Sequence, residues 1–451
     1  MRRALIAAAF LTAPALAAGP GPDLIIADLP GGISHWTSSG AVNGKHAYSF
    51  GITFCNIGSA QAQWINNNPN HPITVHNLYR LSNGAIEQIG MSWVHHEFFP
   101  LQQAHCGTCS AAAGSLLGVG CSTVSSASIV GSQSNNSSRA EINAATGTPT
   151  IPSPTQPATG NAIFKRLQAA ETDLATPNAQ YFADLLTLHT GDAAAGNDEN
   201  NASYRRVLIN PTTFAMTFSG ATERASTILD AWKANANGAG APDPFIRITA
   251  INSSQDDGLI LIGSRAHEVS PGLWQYTYAI LNHSSNRAIA SVIIPKPVSA
   301  PITNAYFNAP QYHSGDPYSN TPWPVQITPA AVAWSTETFN ANPNANAVRW
   351  GTLYTYAFQT SAPPVYSTTA TLYPFLPGGS TGVHNPALIA PGPHPCPGDA
   401  NGDNLVNFTD INFILSNFGQ SGVALPGDVN ADQTVNFADL NLTLSNYALG
   451  C

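Results

Sequence analysis

The sequence predicts a mostly β protein: one or two β-sandwich-like domains, then a small α-helical module. Three observations predict it. Short runs of β-prone residues recur between Asn, Gly, Ser and Pro clusters from residue 23 to 376. Only 9% of the 451 residues are charged, so surface polarity falls to Asn, Ser, Thr and Gln, which suits an exported β-rich chain better than a cytosolic enzyme. From Cys396 onward the chain carries a repeat at an offset of 29, and each copy ends in a helical pattern.

In chain order, residues 1–17 read as a signal peptide. Arg2 and Arg3 form a basic start, Ala4 to Leu11 is a short apolar run, and Ala15-Leu16-Ala17 is an A-x-A-like cleavage site. No run is long enough to span a bilayer as a helix. Residues 18–155 read as a β-rich domain. Asp23 to Leu29 and Ala47 to Ile57 are β-prone, and Leu78 to Trp93 is a hairpin around Ser82-Asn83-Gly84, where Asn-Gly accepts the positive φ of a tight turn. Cys55, Cys106, Cys109 and Cys121 fall here. An even cysteine count in an exported chain points to disulfides, and these four allow three pairings.

The Pro/Thr-rich stretch 148–160 reads as a boundary or an extended connection. Residues 156–376 read as a second sandwich-like domain. Phe164 to Leu174 fits helix or strand, Gly191 to Asn201 a polar loop, and Thr222 to Ala236 a short helix. Phe245 to Ile251, Leu259 to Ile262, Trp274 to Leu281, Ala288 to Ile294 and Thr352 to Phe358 read as strands, with Trp274, Tyr276 and Tyr278 on one face. Residues 377–395 read as a Pro/Gly linker.

The module at 396–451 carries the chemistry. Asp399, Asn401, Asp403, Asn407 and Asp410 match Asp428, Asn430, Asp432, Asn436 and Asp439. They fall at positions 1, 3, 5, 9 and 12 of a twelve-residue loop, the spacing of an EF-hand-like calcium loop. The backbone carbonyls of Leu405 and Thr434, at position 7, complete each expected ligand set. The net charge of the chain is −9. The six aspartates of the module meet no Lys or Arg there, and two bound Ca²⁺ would offset four of their charges. No basic patch points to nucleic acid.

With DANGDNLVNFTD and DVNADQTVNFAD each followed by a short helix, the module resembles a type I dockerin domain. That resemblance covers about one eighth of the chain. It implies a pair of calcium loop–helix motifs that dock onto a cohesin-like module of a scaffold or surface protein, within polysaccharide degradation. Asn404 stands where the family usually has Gly at position 6. Ala431 and Gln433 stand at positions 4 and 6 of the second loop, so weaker calcium binding is expected there. Phe408-Thr409 and Phe437-Ala438 replace the Ser-Thr contact pair, and Leu415-Ser416 and Leu444-Ser445 replace basic residues. Helical spacing places Ile411, Ile414, Leu415 and Phe418, with Leu440, Leu444 and Tyr447, on a buried stripe. Phe413 and Leu442 fall opposite, as a candidate partner contact. Pairing of Cys396 with Cys451 would clasp the module.

Upstream, other candidates carry weaker signals. Cys106-Gly-Thr-Cys109 could serve redox chemistry, but reads as disulfide-forming. His95, His96, Glu97 and His105, with His71 or His76, are ligand types without metal-site spacing. Tyr312 to Asp316 could hold an acid/base pair, and Asp192, Asp198 and Glu199 could supply glycosidase carboxylates. Gly378 to Gly382 spells G-x-S-x-G outside the strand–turn–helix that motif needs. Trp64, Trp323 and Trp350 could stack on sugars, against a default of core packing. None forms a catalytic constellation. The upstream region therefore reads as binding rather than catalytic, with a glycan-active hydrolase as the alternative.

Overall fold

The computed structural model describes residues 19–448, apart from 151–156, 253–256, 299, 380–381, 393–396, 402–404, 422–424, 426, 431 and 433. The expected leader, the Cys396–Cys451 clasp, Ser380, Asp403, Asn404, Ala431 and Gln433 lie outside the described residues. The chain is mostly β, with 40% strand against 12% helix.

Two β units are built from it. In the first, a ten-stranded sheet runs Met216–Glu223, Ala202–Ile209, Gln180–Leu188, Ile73–Ser82, Ala85–Met91, Leu167–Ala170, Lys45–Phe50, Ile33–His35, with Val94–His96 and Asn136–Ser137 beside that path. A three-stranded sheet of Leu24–Asp28, Ile52–Asn56 and Ser122–Ser125 covers one face. Leu24, Ile26, Ile52 and Phe54 from the small sheet meet Tyr48, Phe50, Leu185 and Val207 from the large one in a common core. The hairpin expected at Asn83-Gly84 is present: Ser82 pairs with Ala85, and both turn residues have positive φ.

The second unit packs a five-stranded sheet against a four-stranded one. Its central strand Leu273–Asn282 is buried on both faces. Tyr276, Tyr278 and Ile280 enter the core with Val292, Val332 and Trp334. Ala279 and Leu281, on the opposite face, pack on the helix Ile228–Asn235. That helix was expected within 222–236. Asp230 at its third position accepts from the Thr227 amide at 2.8 Å, closing a capping box. Its Ile228, Leu229 and Trp232 fill the junction between the units, together with Tyr79 and Phe182 of the first. Burying three large side chains there contributes roughly 5–8 kcal/mol before entropy is charged.

Three readings are corrected. The strands at 167–223 hydrogen-bond into the same sheet as those at 45–91, so sheet continuity runs straight across the boundary expected near 155. The linker expected at 377–395 contains the strand Ala387–Pro391, whose Leu388, Ile389 and Ala390 are fully buried. Its prolines conceal a short apolar run that, among the described residues, pairs with one neighbour, Pro364–Thr369, a setting that tolerates Pro. The polar loop at 191–201 is a helix, Thr190–Ala195, followed by a 3-10 turn, Asp198–Asn200.

Candidate functional sites

The tail folds as two loop–helix motifs. Asn407 and Asn436 cap the helices Phe408–Ser416 and Phe437–Ser445. Asn407 accepts from the Thr409 amide at 2.7 Å, and Asn436 from the Ala438 amide at 2.6 Å. Each helix carries its position-12 aspartate at the third residue, where a carboxylate faces the positive end of the helix dipole. Asp439 is fully buried and accepts from the amides of Val429, Asn430 and Asn436 at 2.8–3.2 Å. Asp410 repeats the arrangement with Ala400, Asn401 and Asn407. Each such aspartate ties the start of its loop to the start of its helix.

In the second loop, carboxylate oxygens of Asp428, Asp432 and Asp439 lie within 4.8 Å of one another. Among the described residues this is the only convergent group of three or more His, Cys, Asp or Glu ligand atoms. Asp428 accepts from the Asp432 amide at 3.1 Å, and Asn430 from the same amide at 2.9 Å. Hydrogen bonds, first from Thr434 and then from Asn430, hold the exposed Asp432 carboxyl below its ordinary value. Thr434 bridges to Ser421. The loop thus gathers negative oxygens that repel one another unless a cation sits among them. In the first loop the structure describes Asp399, Asn401, Leu405, Asn407 and Asp410 of the expected set.

The two motifs brace each other. The Gly419 amide, just past the first helix, donates to the Val435 carbonyl of the second loop at 2.8 Å. Val435 and its counterpart Val406 are buried, at position 8 of their loops. Phe418 meets Phe437 edge-on at 5.0 Å. The buried stripe is narrower than expected. Ile414 is fully buried, but Leu415, Phe418, Leu444 and Tyr447 are 40–52% exposed. The buried counterpart of Ile414 is Thr443, which donates to the Gly398 carbonyl at 2.9 Å. Two nine-residue helices are too small to bury a full apolar face. Phe413 is 36% exposed and Leu442 half-buried.

The other candidates take structural positions. Cys55 pairs with Cys106 and Cys109 with Cys121, so the C-x-x-C cysteines belong to different disulfides. His71 bonds the Glu97 carbonyl at 2.5 Å, His95 bonds Asn136 and His96 bonds Ser137. These groups do not converge as ligands. Burial lowers His95 to about 3 and His96 to about 4, and raises Glu97 to about 8. Asp192 accepts from the Leu24 amide and from Asn201, clasping the first strand. Asp198 lies on a short 3-10 turn with Glu199, and burial raises it above its ordinary value. His313 bonds Ser314 and the Met91 carbonyl, while Ser138 donates to Asp316. Trp64, Trp323 and Trp350 are at most 5% exposed, which rules them out as open stacking platforms.

The chain matches no family model and no curated protein. Among solved structures it is similar to the exo-chitosanase CsxA of Amycolatopsis orientalis, at 8% identity over 75% of this chain and 25% of that chain, with a TM-score of 0.16. The same enzyme with PNP-beta-D-glucosamine gives 8%, 75%, 25% and 0.17. The chain thus spans a quarter of the length of those proteins. TM-scores of this size do not define a shared fold, and the chemistry is read from the chain's own residues.

Proposed function

We propose that this chain is an exported, non-catalytic glycan-binding protein, held to a scaffold or cell surface by a calcium-loaded, dockerin-like tail. The observation that carries this reading is the pair of mutually braced loop–helix motifs, with Asp428, Asp432 and Asp439 gathered at one point. These residues, with Asn430, Asn436 and the Thr434 carbonyl, would hold one Ca²⁺. Asp399, Asn401, Asp403, Asn407, Asp410 and the Leu405 carbonyl would hold a second. Hard carboxylate and amide oxygens suit calcium rather than softer metals. The ion would neutralise the crowded aspartates and lock the helices, presenting Phe413 and Leu442 to a cohesin-like or other apolar partner.

Two disulfides support an oxidising, extracellular setting. No described helix is long and apolar enough to cross a membrane. The binding reading is favoured over a hydrolase because two of the upstream carboxylates singled out for catalysis, Asp192 and Asp316, are tied to neighbouring backbone and side chains, while Asp198 and Glu199 lie together on a short 3-10 turn. Incubating the full-length protein with a panel of insoluble polysaccharides tests it. Retention on a solid without soluble products is expected, and released sugars would establish the hydrolase instead.

A further inference from the structure

The junction between the two β units holds a cleft of about 540 Å³. It is lined by the Asn83-Gly84 hairpin arms on one side and by the five-stranded sheet on the other. We propose that this cleft binds an uncharged, hydroxyl-rich chain: a segment of neutral polysaccharide laid over Tyr306 and the amide row Asn304–Gln359–Gln275. This deepens the glycan-binding reading above and rests on it.

Three features of the cleft define the ligand. The first is a fixed aromatic face. Tyr306 is 42% exposed, yet its hydroxyl donates to Glu87 of the opposite unit at 2.6 Å. An exposed ring pinned at its far end offers a flat apolar surface at little entropic cost. It stands on the edge strand Thr303–Asn308, whose pairing slips between Thr303 and Tyr306. Asn304 there has a φ of +50°. Bulges of this kind re-aim side chains at binding sites.

The second feature is the amide row. Asn304 donates to Gln359 at 2.6 Å, and Gln359 donates to Gln275 at 3.0 Å. Primary amides offer donors and acceptors side by side, the complement of a sugar hydroxyl. Gln275 is in turn fixed by the carbonyls of Tyr276 and Phe358, so the row is held in place before a ligand arrives.

The third is charge. Arg80 is shared between Glu87 at 2.5 Å and Asp173 at 2.9 Å. Burial first, and Arg265 second, hold His267 below its ordinary value, which favours its neutral form. The lining therefore presents polarity without a guanidinium left over for a phosphate or uronate.

Titration of the full-length protein with cellohexaose, xylohexaose and mannohexaose tests the proposal, with oligogalacturonate and chitosan hexamer as charged probes. One neutral hexamer is expected to bind, with affinity little changed between low and high salt. Tyr306→Ala should weaken it by at least about tenfold, the loss of one central contact. Tyr306→Phe, which keeps the ring, should weaken it only a few-fold. Asn304→Gly, which tolerates the same backbone, combined with Gln359→Ala should also cost about tenfold, and carries the test should Tyr306→Ala lower the melting temperature. Unchanged affinity in these variants, or salt-sensitive preference for a charged probe, would overturn it. Variants retained on insoluble glycan as well as wild type would move the contact elsewhere and leave the broader reading intact. Absence of any glycan retention would remove both.

Discussion

The amide of Ala448 donates to the carbonyl of Val406 at 2.8 Å, so the turn after the last helix is tied to the first loop of the tail. This bond is the reciprocal of the one from Gly419 to Val435, with the donor 29 residues further on and the acceptor 29 residues back. The repeats differ in the residue that makes the turn. Gly419 has a φ of +85° and Ala448 one of +62°. An alanine in that region costs about 1–2 kcal/mol, while glycine forfeits roughly 0.5–1 kcal/mol through the unfolded chain. Ala448→Gly should therefore stabilise the tail by about 0.5–1 kcal/mol, read as a higher melting midpoint by circular dichroism. A lower midpoint would mean that the strain is relieved elsewhere.

Calcium should raise the thermal midpoint of the tail, by about 2.7 kcal/mol of stability at a hundredfold excess over Kd. Asp428→Asn removes a charge while keeping an acceptor for the Asp432 amide. It should leave the calcium-free midpoint nearly unchanged and weaken calcium at least about tenfold, a loss of about 1.4 kcal/mol. Asp439→Ala should also lower the calcium-free midpoint, because three backbone amides lose their acceptor. Calorimetry with calcium and with chelator separates the two effects.

Capture of a partner through the tail should depend on Phe413 and Leu442. Phe413→Asp with Leu442→Asp should abolish calcium-dependent retention on a cohesin-type module or on the native cell surface. The calcium-induced rise in melting midpoint should persist. Retention unaffected by the double change would shift the contact to Leu415 and Leu444, which are both 52% exposed.

Buried titratable groups set the pH response. Burial pushes Glu97 and Asp192 up to about 8 and Asp184 to about 7. Their folded forms keep protons that the unfolded chain releases near pH 4, so their contribution is full below that value and fades as pH rises through 7 and 8. Burial lowers His95 to about 3, and His189 and His313 to about 4. The unfolded chain binds protons near pH 6.5 that these refuse, so their contribution is lost as pH falls below it. Between about pH 4 and 6.5 these two sets oppose each other, three groups against three, so stability should be nearly level there and fall as pH rises above about 6.5. Glu97→Gln should recover roughly 2 kcal/mol of the loss between pH 6 and 8, measured as melting midpoints across that range.

The disulfides should differ in worth. Cys55–Cys106 spans 51 residues and Cys109–Cys121 spans 12. Loop entropy makes the longer bridge worth roughly 1 kcal/mol more. Cys55→Ser with Cys106→Ser should lower the urea midpoint further than Cys109→Ser with Cys121→Ser. The reverse order would point to local packing around Cys121, which is fully buried.

The features legible in the sequence were those written in adjacent residues. Asn83-Gly84 sets its own turn, Thr227 with Asp230 closes a local box, and the tail repeat spells its loops. What was not legible depends on residues far apart. The strand at 387–391 gains its identity from Pro364–Thr369, not from its own prolines. Leu415 and Leu444 match a buried stripe by spacing, yet among the described residues of so small a tail nothing covers them. The cleft was invisible because Glu87, Tyr306 and Gln359 come from different strands, and Asn304 and Tyr306 depend on a bulge that no local pattern announced.

Ala387–Pro391 is stitched into the second β unit, and the tail module begins at Cys396, only five residues on. Fully stretched, such a leash reaches no more than about 20 Å. If the tail docks as proposed, a host surface that grips it would hold the rest of the protein close against itself, and the proposed cleft would feel for fibres lying alongside its anchor rather than casting out after distant ones.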